Sequence, residues 1–403
     1  MSRTPGGVWD AAVIGGGIVG ASVARELTRR GFRTLILEKE PDVGQHASSH
    51  NSGVLHSGIF NMPGTQRSTL TRSSVPRIKR YCAERGIPYR VTGKVVCART
   101  EQEVRNLERL CKNAPGNGLR SIEVMEAHRI VEYEPNAVPF PFLFVPEAGI
   151  VDSMALVRSF MADALERGAR VETGTEVMRI QRRHGGFLIE TSNSAFEAAR
   201  LVNAAGLHAD RIAWQLGIAE EYVVVPFRGD YYRLSVGARG KVRGLIYPTK
   251  DPDLPFLGIH FTVTTDGETL VGPNAVIPPR REAYEGFRPT AETARMFLEA
   301  GFLRMIIRNR SVRKHAAGEF LLSLSSRAFL HEAQSLVRGL TPSDLVRTWS
   351  GIRAQLVRRE DGSFVDDFTV VRGDESVHVL NAVSPTLTNS IAIGEVVADE
   401  MRL

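Results

Sequence analysis

Short apolar runs alternate with glycine and charged positions over the first forty residues. Asp10 to Ile14 is an apolar run of strand length, apolar positions recur at helical spacing from Gly17 to Arg30, and Arg33 to Leu37 is a second apolar run closing on Glu38. The pattern predicts a strand, a helix and a second strand. Beyond it, residues 66–85 look helical, "YRVTGKVVCA" holds two short strands, and a charged helix runs from Glu101 to Cys111 before Pro115, Gly116, Asn117 and Gly118 mark a break. The next helix is predicted with Ser153 as N-cap, apolar positions to Leu165 and Gly168 as its stop. "VMRIQRRHGGFLIETS" reads as a hairpin, and "AARLVNAAGLHADRIAWQLG" as a strand passing through small residues into a helix. Tyr222 to Gly272 is mostly strands, Thr290 to Arg310 a long helical stretch, and the last segment strands, a Ser-Pro-Thr turn and a final helix. The α/β pattern is interrupted and resumed, so the domains are expected to be discontinuous in sequence.

Gly15, Gly17 and Gly20 form G-x-G-x-x-G at the predicted strand-to-helix turn. The first permits a tight turn, the second lets backbone approach a pyrophosphate, and the third lets the helix pack closely on the sheet. The amide groups of the helix N-terminus then face the phosphates. Glu38 ends the second strand, where an acid accepts hydrogen bonds from an adenosine ribose. A dinucleotide site follows, with NAD and FAD both open on these residues alone.

The 403 residues, 43% hydrophobic and 24% charged, suffice for one large or two intimately joined domains with an unstapled core. Three cysteines, Cys82, Cys97 and Cys111, include no C-x-x-C pair, which argues against a disulfide framework or a zinc site and fits a reducing compartment. The N-terminal stretch to Gly17 lacks an apolar segment of signal-peptide length, and no run of 18 apolar residues occurs. A cytoplasmic location is expected. A net charge of +6 is too mild, and too poorly clustered into a recognisable module, to predict nucleic-acid binding.

With "VIGGGIVGASVARELTRRG", "HNSGVLHSGIF", "VPEAGIVD", "NAAGLHADRIA", "VPFRGDYYRL", "LIYPTKDPDLPFLGIHFT", "DGETLVGPNAV", "GIRAQLV", "VDDF" and "NAVSPTLTNSIAIG" in this order, the chain resembles flavoproteins of the D-amino-acid oxidase type, in the branch of the L-2-hydroxyglutarate oxidases and dehydrogenases. The resemblance implies FAD, a Rossmann-like FAD-binding domain, and an α+β substrate domain whose mainly antiparallel sheet roofs the flavin ring. The FAD-binding domain is expected over 1–90, 141–221 and 345–403, and the substrate domain over 91–140 and 222–344. It also implies oxidation of a 2-hydroxy acid to the 2-keto acid by hydride transfer to flavin N5. By the same analogy Gly15, Gly17, Gly20 and Glu38, with Ile18 and Val19 between them, hold the ADP half, Val177 places backbone against adenine, and Ala205 and Gly206 approach the cofactor; Lys39, next to Glu38, is placed either near the adenine or in solvent. Ser384, Pro385, Thr386 and Leu387, leading into a helix N-terminus, are expected at the pyrimidine side of the flavin, where reduced flavin carries negative charge. The sequence departs from the pattern at Phe60-Asn61, where a tyrosine pair is expected, and between Ala283 and Lys314.

Such chemistry needs a carboxylate clamp and a proton acceptor. Arg228 and Arg353, in strand-like segments, offer the bidentate fork, although either can equally be a structural ion pair. Tyr231, Tyr232, Tyr247 and Asn274 are further substrate-binding positions. His56 and His260 are the expected acid–base residues, since imidazole titrates near working pH, while His208 is read as a helix-start residue. "HASSHNSGVLHSG" invites a metal reading through its three histidines, but it is too rich in Ser, Asn and Gly for a helix presenting them together and has no acidic or cysteine ligand. Ser48, Ser49, Asn51, Ser52 and Gly53 are instead expected to cradle the cofactor. The expected partners are a small anionic 2-hydroxy acid and an electron acceptor, oxygen or quinone. "RMFLEAGFLRMIIRNRSVRKH" mixes apolar and basic residues, which suits a core helix with a basic end or a helix lying on an anionic membrane.

Overall fold

Strand Trp9–Ile14 sits in the middle of an eight-stranded sheet, flanked in parallel by Thr34–Leu37 on one side and Ala195–Asn203 on the other. The computed structural model describes residues 7–250 and 256–401. Residues 1–6, part of the N-terminal stretch read above, and 251–255, inside "LIYPTKDPDLPFLGIHFT", lie outside the described residues. Arg170–Glu172 and Ser376–Asn381 extend the parallel sheet outward, and Thr369–Gly373 adds an antiparallel edge. The alternation of side chains along Trp9–Ile14 splits its apolar residues between two layers. Ala11 and Val13 meet the layer containing helices Ile18–Arg29, Ser153–Glu166 and Thr386–Glu400, while Ala12 and Ile14 meet Ile180, Phe187 and Ile189 of the hairpin Val177–Thr191. The N-cap of Ser153–Glu166 is Asp152, not Ser153: its carboxylate accepts from the Ala155 amide at 2.9 Å, as an ionised acid at a helix N-terminus does well.

A seven-stranded sheet forms the second unit, in the order Leu345–Arg358, Tyr222–Leu234, Thr269–Val271, Phe261–Val263, Leu245–Pro248, Lys94–Cys97, Phe142–Val145. All neighbours are antiparallel except Leu245–Pro248 with Lys94–Cys97. The expected α/β architecture with a mainly antiparallel second sheet is therefore what the chain forms. Two boundaries differ from the sequence reading: Phe142–Val145 and Leu345–Arg358, expected with the cofactor domain, pair into this sheet. Their hydrogen bonds to Lys94–Cys97 and Tyr222–Leu234 outweigh their sequence proximity to the other unit. The helical stretch predicted over 290–310 is not one helix. Ala291–Leu298, Ala300–Arg308, Arg310–Leu324 and Ser326–Gln334 follow one another, separated at Glu299, Asn309 and Ser325, whose backbones are extended.

Candidate active site

One cavity of about 480 Å3 opens between the two sheets, and the first βαβ unit builds one end of it. Strand Trp9–Ile14 delivers the chain to Gly15 at φ +105°, where a Cβ would lie 2.5 Å from the Ala204 carbonyl oxygen. A Cβ at Gly20 would lie 1.9 Å from the Gly15 carbonyl oxygen, so the helix reaches the turn only because both are glycine. Gly17 caps helix Ile18–Arg29 with no side-chain bond; Ser48 Oγ accepts from the Ile18 amide at 2.9 Å. The other first-turn amides have no intrahelical acceptor. Glu38 is fixed by backbone, accepting from Gly16 at 2.6 Å and from Glu40 at 2.9 Å. Gly15, Gly17, Ile18, Val19, Glu38, Val177, Ala205 and Gly206 all line this end.

Lys39 lines it too, donating to Glu40 at 2.7 Å and to Glu282 at 2.8 Å. His46 contacts Glu40 at 2.8 Å and His208 contacts Glu282 at 2.9 Å. Burial would raise the Glu282 carboxyl, but hydrogen bonds from His208 and Lys39 outweigh it and hold it at about 2. Glu40, His46 and Glu282 approach closely enough to ligate an ion, yet the Lys39 ammonium already serves as their cation.

At the opposite end the register of two long strands sets the chemistry. Arg353 lies opposite Phe227, and Gly351 opposite Gly229, so these four share one face of the sheet with Tyr231, and Gly229, Tyr231, Gly351 and Arg353 line the cavity. Arg353 lies over the Phe256 ring at 5.2 Å and makes no ion pair among the described residues; burial lowers its proton affinity. His260 and Tyr247 pack ring to ring at 4.0 Å. The Gly258 carbonyl accepts from His260 Nδ1 at 2.8 Å, which places the proton on Nδ1 and leaves Nε2 as the basic atom. Burial pushes His260 down to about 3 and His56 well below its usual value, so both imidazoles are neutral in near-neutral solution. His56 donates its backbone amide to Thr388 Oγ1 at 2.9 Å, and its Nε2 is 3.3 Å from Ser384 Oγ. Ser384, Pro385, Thr386 and Leu387 line the cavity where helix Thr386–Glu400 begins without a side-chain cap, the Thr386 hydroxyl donating backward to Ala382 and Val383. Two helix N-termini thus open into a single cavity.

A family model described as FAD dependent oxidoreductase matches residues 10–400. The chain belongs to that family. As a member of the FAD dependent oxidoreductases it is an enzyme that uses FAD. It is 33% identical over 396 residues to an L-2-hydroxyglutarate dehydrogenase of Indibacter alkaliphilus, covering 97% of this chain and 98% of the relative. It is 34% identical to an L-2-hydroxyglutarate dehydrogenase of Escherichia coli strain K12, covering 96% and 92%. In fold it is similar to an L-alpha-glycerophosphate oxidase from Mycoplasma pneumoniae solved with FAD bound, at a TM-score of 0.80 and 20% identity over 98% of this chain and 95% of that one. The residues present fit the cofactor. A glycine turn whose missing Cβ atoms leave room for phosphate, a backbone-held Glu38 for the ribose, and a second uncapped helix N-terminus for the flavin ring answer three chemically different parts of FAD.

Within this family site the structure separates the expected residues. Ser48, Asn51, Ser52, His56, Tyr231, Tyr247, His260 and Arg353 reach the cavity. Gly20 supports it from behind, Ser49 turns back to the His46 carbonyl, and Gly53 closes a turn at φ +64° by donating its amide to Asn51 Oδ1. Arg228 does not line the cavity. It lies opposite Ile352 on the other face of the strand pair, 3.2 Å from Asp230, donating to the Gly286 carbonyl at 2.8 Å and stacking on Phe287. Tyr232, on the same face as Arg228, packs on Phe329 in the core. Asn274 is occupied structurally, accepting from the Asp230 amide at 2.7 Å and donating to Ser323 Oγ at 2.8 Å. Sequence reasoning missed Arg67, Phe256 and Gln355 in the lining and the buried Lys94 behind it. Of these only Lys94 had a signal, a lone charge inside the apolar strand run of Lys94–Cys97.

Proposed function

We propose that this enzyme oxidises the C2 hydroxyl of a dicarboxylic 2-hydroxy acid, with L-2-hydroxyglutarate going to 2-oxoglutarate. The observation that carries the reading is the meeting of Arg353, which makes no ion pair among the described residues, with two neutral imidazoles, His260 and His56, at one end of the cavity. Near full-length likeness to L-2-hydroxyglutarate dehydrogenases supports the choice of acid. Arg353 binds the C1 carboxylate through its planar fork and so orients C2. His260 Nε2 accepts the hydroxyl proton, and Tyr231 and Tyr247 close the wall around the substrate. FAD, when bound, takes up the hydrogen and electron pair lost from C2. Val177 would hold the adenine, and Ser384 to Leu387 the pyrimidine edge of the flavin.

The acceptor that reoxidises the enzyme is oxygen or a quinone, and the enzyme works in the cytoplasm or against the membrane facing it. Exposed Phe297, Leu298, Leu303, Ile307, Phe320, Leu321 and Leu324 on the helices after residue 290 favour the second site. The test is anaerobic mixing with a panel of 2-hydroxy and 2-amino acids, followed by oxygen or a quinone. L-2-hydroxyglutarate is expected to bleach the flavin fastest. Reduction by amino acids alone removes the hydroxy-acid reading, and FAD binding with no reduction by any acid reassigns the chain as a non-catalytic flavin binder.

A further inference from the structure

Lys94 is among the largest fully buried side chains, at 1% exposure, and its ammonium has no hydrogen-bond partner among the described residues. It lies within strand Lys94–Cys97, where alternation turns it to the same face as Val96 and against two aromatic rings, 4.1 Å from the Tyr247 centroid and 5.7 Å from that of Phe60. Both rings line the cavity, and Tyr247 stacks on His260. A lone cation in such a place costs stability, and a methionine of similar volume would relieve it. A negative partner that arrives with the substrate would offset this cost.

Resting on the substrate class above, we propose that Lys94 is the positioning cation for the second carboxylate of the dicarboxylic acid, acting across the Tyr247 and Phe60 rings while Arg353 clamps the first. The other groups at this end leave that task to it. Arg67 also lines the cavity, its proton affinity lowered by burial and in part restored by Asp367 and by Asp366, a carboxylate that lines the cavity too and would repel a second one, and the imidazoles of His56 and His260 are neutral. Arg353 and Lys94 then match the two charges of the substrate, and a monocarboxylate that lacks the distal group would leave Lys94 unanswered.

The test compares wild type with Lys94→Met on L-2-hydroxyglutarate and L-2-hydroxybutyrate, with calorimetric binding of glutarate and butyrate to the resting holoenzyme. For a cation one aromatic ring removed from the carboxylate in a buried wall, kcat/KM for the dicarboxylate is expected to fall about 10- to 100-fold, mostly in KM, with the monocarboxylate changed less than about 3-fold. Glutarate affinity should fall in parallel while the melting temperature rises. Equal losses on both acids, or a lowered melting temperature with the selectivity intact, would show a merely structural lysine. Wild type serves if the variant does not accumulate. Burial brings Lys94 down to about 7, whereas His56 and His260 lie lower, Tyr231 and Tyr247 are raised, and Arg353 and Arg67 stay guanidinium cations although burial lowers both, so among these groups Lys94 is the one that changes charge near neutrality. Glutarate binding is expected to weaken above about pH 7 relative to butyrate; a pH-independent ratio overturns the proposal. Wild type that no 2-hydroxy acid reduces removes the functional reading and this inference together, whereas reduction by L-2-hydroxyglutarate with unchanged selectivity in Lys94→Met removes only the role of Lys94.

Discussion

Arg353 and Arg228 lie on neighbouring strands one register step apart, Arg353 opposite Phe227 and Arg228 opposite Ile352. That step puts their guanidinium groups on opposite faces of the sheet, one in the cavity and one beside Asp230. Different consequences follow from removing each. Arg353→Lys replaces a planar fork by a point charge and is expected to lower kcat/KM about 10- to 100-fold with little change in the urea midpoint. Arg228→Met removes the buried partner of Asp230, leaving it the Ser350 hydroxyl at 2.7 Å and the half-exposed Arg347 at 3.8 Å, and is expected to cost up to about 3–5 kcal/mol of stability while the folded fraction keeps its KM. Urea melts and steady-state kinetics on both variants check this, and an increased KM for Arg228→Met at full stability would return it to the site. Period-two alternation already implies that Arg228 and Tyr231 cannot share a face. Which face meets the cofactor was not legible, because both carry polar and apolar residues.

The βαβ element was legible almost whole, since its turn, helix and second strand are contiguous and each glycine has a local steric reason. Gly20→Ala tests that reason. With the added carbon 1.9 Å from the Gly15 carbonyl oxygen, helix and turn must part, and the expected result is loss of FAD from the purified protein with a melting temperature lowered by several degrees. Flavin absorbance per protein and a thermal melt report it; normal FAD content would contradict the close packing. The helices after residue 290 were less legible. Neither glycine nor proline marks the break at Glu299, and the one hint at the next is Asn309, whose side chain accepts from the Val312 amide at 3.0 Å as an N-cap. Asp152 beside Ser153 shows the same limit, since adjacent residues can both cap and only the backbone angle chooses.

Across the whole molecule, charge and exposed apolar surface concentrate in one place. Residues 299–332 hold six basic side chains, Arg304, Arg308, Arg310, Arg313, Lys314 and Arg327, and three acids, Glu299, Glu319 and Glu332, a net of +3. With the exposed leucines and phenylalanines among them, this surface suits an anionic bilayer. No helix among the described residues is long and apolar enough to cross one. Sedimentation with vesicles rich in phosphatidylglycerol is expected to carry the enzyme down at low salt and release it at high salt, and Leu298→Glu with Ile307→Glu to abolish the effect. Failure to sediment at low salt removes the membrane from the picture. The same scale separates what the chain dictates from what folding adds. The sequence by itself determined the dinucleotide cradle and the α/β class, because each rests on contiguous residues whose geometry is local, whereas His56, His260 and Arg353, far apart in sequence, come to one cavity only through the tertiary structure. Tertiary structure alone decided that Arg228 and Asn274 lie outside the cavity lining, that Leu345–Arg358 joins the second sheet, and that Lys94 stands behind Tyr247. Those outcomes depend on register between strands far apart in sequence, and a shift of one residue would have exchanged the two faces.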